Sequence, residues 1–439
     1  MEKPNIILVV FDTLRWDCFQ KYIENDSPFN EKLKDFANFN LAFSPSSWTL
    51  PSHISLFTGL YPSEHGIHET EHSELEEIFR KARDYSGEFI TKIASANGYR
   101  TVGISANPMI SSLTGFEEKF DDFYNVNLGS FSGIRVSKTH SKIFQKIEYI
   151  ASSALSTFRG YPKNKGYKIS LSLFNKIMAF DKFFVFMNFM EMHDPYSNTI
   201  LNDDNFIILD DLFGIKPLNE KQVNKLRDGY NNQIEKVKET ILSLISNLKG
   251  QGKFDNALII FTADHGQALK EKDYYGHGGF LYDALIHIPL LIKLPSVYPK
   301  ELDPNAYVNL VDLFGFLRAV ILGENNPFQY LSRDRTFSET YGLQYSKSSL
   351  EKYLKNNNAR EIYKKSNVAR KVIIKDNHKL CLNANSEVEE FYNYSGVAIR
   401  SPELAYINDL LFDLNIFNID KDFVIDNHAI TIEMGEGNE

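Results

Sequence analysis

Three apolar runs along the chain lack the alternation of a half-exposed strand, and each stops at a residue with ligand chemistry. Residues 5–12 read NIILVVFD; residues 182–190 read KFFVFMNFM and lead to Glu191 and His193; residues 256–263 read NALIIFTA and precede Asp264 and His265. Short continuous runs rich in β-branched and aromatic residues predict strands buried on both faces, as in a parallel sheet covered by helices. Residues 288–293 (IPLLIK) predict a fourth strand. Between them, Tyr230, Ile234, Val237, Ile241, Leu244, Ile245 and Leu248 follow one helical stripe, and Gly250 marks its stop. Helix leading into strand makes this an α/β chain, and in open α/β sheets ligands lie beyond the carboxyl ends of the strands.

The texture changes elsewhere. Residues 197–222 and 325–366 are polar and aperiodic and are expected to be loops or insertions. From Arg335 the pattern shortens. Residues 368–374 (VARKVII) and 378–382 (HKLCL), joined by Lys375-Asp376-Asn377, predict a hairpin. We therefore divide the chain into a large domain, 1–334, and a small α+β C-terminal part, 335–439, which includes residues 410–414 (LLFDL) and a frayed end from Glu433.

Composition narrows the functional classes. With 43% hydrophobic and 24% charged residues, disorder is excluded as the dominant state. Two cysteines, Cys18 and Cys381, cannot build a disulfide framework or a thiolate zinc cluster. A net charge of −9 argues against nucleic acid as a partner, and the basic stretch at 138–168 reads as a solvated helix face ahead of the alternative, a contact for a polyanion. An anionic substrate would need a local positive source, for which a bound metal is the natural choice. No apolar run reaches the ~20 residues of a membrane span, and the first run follows no basic leader, so a cytoplasmic protein is expected.

Candidate chemistry concentrates in five places. In residues 44–68 (SPSSWTLPSHISLFTGLYPSEHGIH), Thr49 stands two residues before Pro51, and Ser52-His53 open a predicted helix that stops at Thr58-Gly59. A hydroxyl there sees the positive helix end; the plain alternative is an N-cap threonine with proline in the first turn. Asp264-His265-Gly266 offers a compact oxygen and nitrogen ligand pair, or a strand-end turn with a capping Asp. Asp12, His193 (in MHDPY, 192–196) and His277 (in GHGG, 276–279) complete the set. Each alone is as easily a structural residue.

Together, in order, these segments resemble the sulfatase branch of the alkaline phosphatase superfamily. The resemblance is carried by residues 5–17 (NIILVVFDTLRWD), 47–68 and 262–289, and extends through 98–108 (GYRTVGISANP), 115–123 (GFEEKFDDF), 192–196, 308–317 (VNLVDLFGFL) and 410–427. It implies an alkaline-phosphatase-like α/β sandwich: a large, mostly parallel mixed sheet flanked by helices, with a small C-terminal antiparallel sheet and helix. By position, Asp12, Asp264 and His265 match metal ligands, and Thr49 matches the nucleophile that also touches the metal. His193 and His277 match groups that contact substrate or leaving group, or hold a second metal. His53 and Asn107 fall at substrate-binding positions.

The departures from the family pattern are specific. The modified Cys or Ser of formylglycine sulfatases is Thr49 here, and the motif arginine is His53. Formylglycine is thus excluded, and a metal-activated hydroxyl takes its place. The second carboxylate after strand one is Thr13, and the lysine of the GKWH-like segment is missing from residues 104–107 (ISAN). A mixed O/N set favours zinc or manganese over calcium or magnesium. A threonine ester cannot revert to an aldehyde and must be hydrolysed by water. That tilts the expectation toward phosphate over sulfate esters on a small molecule or glycan. The alternatives are transfer of a phospho-alcohol group to a glycan, and a non-catalytic binding protein on the same fold.

Overall fold

A computed structural model describes residues 3–69, 74–126, 134–135, 165–196, 205–298, 302–345, 350–384, 388–393, 410 and 413, with backbone alone at 134–135 and 205–208. The first apolar run is strand β1 (Asn5–Phe11), where Ile6 to Val10 have no exposed surface. Short β2 (Ala37–Asn38) and β3 (Leu41–Phe43) follow, then β4 (Arg100–Ser105), β5 (Asp122–Asn125) and β6 (Ile134–Arg135). The second and third runs are β7 (Phe183–Phe189) and β8 (Ala257–Thr262), each buried along its whole length. The ribbon of β9 (Ala268–Glu271) and β10 (Tyr274–Gly276) precedes β11 (Leu290–Lys293), the predicted fourth strand.

These strands build an eight-stranded sheet in the order β2-β11-β8-β1-β7-β4-β5-β6. β8, β1, β7, β4 and β5 are mutually parallel, with Ile6 opposite both Phe184 and Leu258, and β11 runs antiparallel to β8. A strand buried on both faces needs no polar alternation, which is why these three runs read as unbroken apolar stretches. Each fully buried Ile, Leu or Phe stabilises by about 1.5–3 kcal/mol relative to exposure.

The long helix spans Glu220–Gly250, with Asn219 capping the amide of Gln222; it starts ten residues before the predicted stripe because its first turns are polar outside Val223 and Leu226. The expectation of loops at 197–222 and 325–366 is therefore corrected. Asn205–Leu212 and Asn357–Ser366 are helices, and β13 (Arg335–Thr340) lies in the second segment, which follows β12 (Tyr307–Asn309). These elements are held by partners distant in sequence: β13 pairs with β14 (Arg370–Lys375), and Tyr353 packs on Phe213. Local periodicity carries no trace of such support.

The predicted hairpin is present: β14 and β15 (His378–Asn383) turn at Asp376 and Asn377, both at positive φ. With β13 and β16 (Val388–Asn393) they form a four-stranded antiparallel C-terminal sheet, and Asp413 pairs with Arg335 and Lys375. The basic stretch, apart from its last residues 165–168, and the chain end beyond Asp413 lie outside the described residues. No helix among the described residues is long and apolar enough to cross a membrane.

Candidate active site

The site is assembled where β1 and β8 end. The Asp12 amide continues the ladder to Phe189 at 2.9 Å, so Asp12 leaves β1 still locked to β7. The chain then turns at Thr13, whose φ of 62° is unusual for a β-branched residue. Tyr230 of the long helix holds that turn: its hydroxyl donates to the Thr13 carbonyl and accepts from the Arg15 amide, both at 2.8 Å. The turn aims the Thr13 amide at Asp264 Oδ1, 3.2 Å away, and the His265 amide donates to the same oxygen at 2.9 Å. Asp12 Oδ2 is taken by Asn107 Nδ2 at 2.6 Å. Each carboxylate thus has one anchored oxygen. The other oxygen of each, Asp12 Oδ1 and Asp264 Oδ2, is buried without a hydrogen-bond partner.

His265 completes the group. Its Nδ1 lies 2.8 Å from the Gly266 carbonyl, which can only accept, so Nδ1 carries the proton and Nε2 keeps its lone pair. A Cβ on Gly266 would sit 2.0 Å from the Ala284 carbonyl, so only glycine allows this tight approach. Ligand atoms of Asp12, Asp264 and His265 lie within 4.8 Å of one another. Burial, and then the neighbouring Asp264, push the Asp12 carboxyl up to about 6. Burial also raises Asp264 to about 7 and lowers His265 to about 4. Two buried carboxylates with unused oxygens and a neutral imidazole fit a divalent cation, which would offset the charge the chain leaves uncompensated.

The helix carrying Thr49 spans Thr49–Thr58 and ends in Gly59 at φ 71°. Its N-cap is Trp48, not Thr49, so the capping reading of Thr49 is corrected. Thr49 is the first helical residue, and its Oγ1 stands 3.2 Å from His265 Nε2. His53, one turn on, is fully buried; its Nδ1 donates to the Thr49 carbonyl at 2.9 Å and lies 3.6 Å from Asp264 Oδ2. Burial drives its pKa down to about 3, so it is neutral.

His193 and His277 pack next to His265. Their ring centroids are 5.1 Å apart, and His277 is 4.7 Å from His265. His277 Nδ1 faces Gln267 Oε1 at 2.7 Å, and burial holds the ring well below its usual pKa. For His193, burial opposes the charge, but Asp194 at 3.0 Å prevails and lifts it to about 9. Lys165 donates to the His193 carbonyl and feels Asp194, Glu191 and Asp12.

All eight sequence candidates thus fall in one region. Asp12, Thr49, Asp264 and His265 form its centre, His193 and His277 its flank, and His53 and Asn107 touch Thr49, Asp264 and Asp12. Sequence reasoning passed over Lys165, Asn188, Gln267 and Tyr230. Asn188 lies 3.4 Å from His53 Nε2. Only Asn188 carries a signal, as the one polar residue inside an apolar run; the helical stripe marks Tyr230 as core.

Comparison with known proteins bears on the same arrangement. The family model "Sulfatase" matches residues 4–320. The chain belongs to the sulfatase family. Arylsulfatase K of Xenopus laevis is 29% identical over 99 residues, 22% of this chain and 18% of that protein. The extracellular sulfatase SULF-1 homolog of Drosophila melanogaster is 23% identical over 332 residues, 71% of this chain and 29% of that protein. The chain therefore spans less than a third of either relative. Among solved structures, the phosphonate monoester hydrolase of Agrobacterium radiobacter matches at a TM-score of 0.64 and 16% identity, over 94% of this chain and 95% of that one. This likeness carries the alkaline-phosphatase-like sandwich and not the reaction.

Proposed function

We propose that this sulfatase-family protein is a metal-dependent hydrolase of phosphate or sulfate esters that works through a covalent ester on Thr49. The observation that carries the reading is the pair of unpartnered carboxylate oxygens, Asp12 Oδ1 and Asp264 Oδ2, beside the Thr49–His265 contact. Asp12, Asp264, His265 and Thr49 would hold a divalent ion, zinc or manganese by donor type, which supplies positive charge for the Thr49 oxygen and the transferred anion.

The chain's own groups then divide the work. Thr49 sits in the first turn, where free amides and the helix dipole favour a developing alkoxide. Its Oγ1, which would give up its proton to solvent on joining the ion's ligands, attacks the central phosphorus or sulfur as the bond to the leaving oxygen breaks. His193, protonated below about pH 9, donates to the leaving oxygen. His277 is neutral and, with Nδ1 committed to Gln267, offers Nε2 to take a proton from the water that cleaves the ester. Asn107 and Asn188 keep Asp12 and His53 oriented. Relatives named as sulfatases support a sulfuryl substrate, and the phosphonate hydrolase fold neighbour supports a phosphoryl one. The absence of a formylglycine precursor at position 49 favours phosphorus.

The test is trapping with slow aryl phosphate diester and aryl sulfate substrates, followed by mass spectrometry of the Thr49 peptide. An added phosphoryl or sulfuryl mass is expected, and its size names the central atom. Near-normal turnover by Thr49→Ala would overturn the mechanism. Metal analysis finding two ions per chain would move His193 and His277 from proton carriers to ligands.

A further inference from the structure

Thr49 needs a fixed starting point, and the usual device is missing. Trp48, its N-cap residue, makes no side-chain capping bond to the helix. The indole reaches away instead and donates through Nε1 to Glu69 Oε2 at 2.5 Å. Glu69 is 2% exposed and also accepts on Oε1 from Thr340 Oγ1 at 2.5 Å and the Tyr341 amide at 2.9 Å. The residue before Glu69 joins in: the His68 ring stacks on Tyr341 at 3.8 Å. Both carboxylate oxygens are therefore committed, one to the residue preceding Thr49 and one to the end of β13. The same strand touches the loop leading to Thr49 twice more, from Ser338 Oγ to the Ser44 carbonyl at 2.7 Å and from the Glu339 amide to the Pro45 carbonyl at 2.8 Å.

We propose that Glu69 is a positioning residue that clamps Trp48 to β13 and so sets where Thr49 Oγ stands relative to His265. The proposal rests on the reading of Thr49 as nucleophile. Trp48 has extended backbone angles, φ −153° and ψ 164°, and turns directly into the helix, so a swing of its side chain displaces Thr49 by leverage. A misplacement of about 1 Å at a reacting atom costs about a hundredfold in rate. A carboxylate suits the clamp because it accepts on both oxygens. A glutamine offers one oxygen and an NH2 group that faces a donor on either arm.

The test compares Glu69→Gln, Trp48→Phe, the double variant and Thr340→Val, each assayed as folded, metal-loaded protein. Glu69→Gln is expected to lower kcat about 10–100-fold with KM and metal stoichiometry unchanged. Trp48→Phe is expected to match it, and the double variant to lose little more, since both remove one contact. Thr340→Val, near-isosteric and remote from the reacting atoms, should lose less and keeps the test valid if Glu69→Gln fails to fold. In a Trp16→Phe background Trp48 is the sole tryptophan, and Glu69→Gln should shift its emission whether or not a substrate is known. Unchanged kcat in all single variants, or losses that simply multiply in the double variant, would overturn the clamp. Turnover by Thr49→Ala would instead overturn the nucleophile, and the fluorescence shift would still report on the clamp.

Discussion

The floor of the site and the C-terminal sheet both bury charge, and they do so in opposite ways. In the C-terminal sheet each buried charge named here meets an opposite one: Lys371 lies 3.6 Å from Glu339, Lys379 is 2.9 Å from Asp283, and Arg370 is 2.6 Å from Glu389. Glu339 further accepts from the Ser63 amide and hydroxyl at 2.8 Å. At the ends of β1 and β8, Asp12 and Asp264 face each other with the same sign and with oxygens no donor reaches. Paired buried charge is architecture; removing one partner leaves the other stranded. Unpaired buried charge of one sign is a cost that folding alone does not recover, and it marks where a ligand must supply the balance.

The largest effect that separates the two regions is on the floor. Asp264→Asn should abolish metal binding and lower turnover by several orders of magnitude, yet leave the metal-free protein as stable as wild type or more so. Calorimetry with and without chelator, beside metal analysis, checks this; a strongly destabilised metal-free variant would show that Asp264 is structural. Next comes the C-terminal sheet. Glu339→Ala removes the carboxylate that faces Lys371 and accepts from Ser63, and should cost about 3–5 kcal/mol in urea unfolding. A loss under 1 kcal/mol would mean that the pair is worth no more than a surface bridge.

A third test uses pH. Folding raises Asp12 from 3.8 to about 6 and Asp264 from 3.8 to about 7, so the folded metal-free chain binds protons more tightly than the unfolded one. Its stability is greatest below pH 3.8 as far as these two groups are concerned, and is lost as pH rises through 6 and 7. Metal requires the deprotonated forms, so the metal-loaded protein should show the opposite trend over the same window. Melting temperatures between pH 4 and 8, with metal and with chelator, should cross or converge; parallel curves would remove the argument for a metal. The smallest effect is on the flank. His193 should impose a fall in kcat above pH about 9, and Asp194→Asn should move that limb toward lower pH, because Asp194 is the chief attraction raising it. A limb that stays in place would assign it to another group.

Some of this was settled by sequence alone. Unbroken apolar runs specified β1, β7 and β8 because strands buried on both faces have no exposed side to show. The order of motifs brought Asp12, Thr49, His193, Asp264 and His277 into consideration, since Thr49 opens a helix and the others lie within four residues after a strand end. The polar helices and β13 stayed hidden, because their stability comes from partners far along the chain rather than from their own periodicity. Only the tertiary structure decided which oxygens are left over: Asn107, 95 residues from Asp12, takes one of them, and the Thr13 amide, 251 residues from Asp264, takes another. It likewise turned Glu69 from one acid among many into the link between Trp48, 21 residues before it, and Thr340, 271 residues after it. Hydrogen-bond partners are chosen by distance in space, and no local pattern of residues encodes that distance.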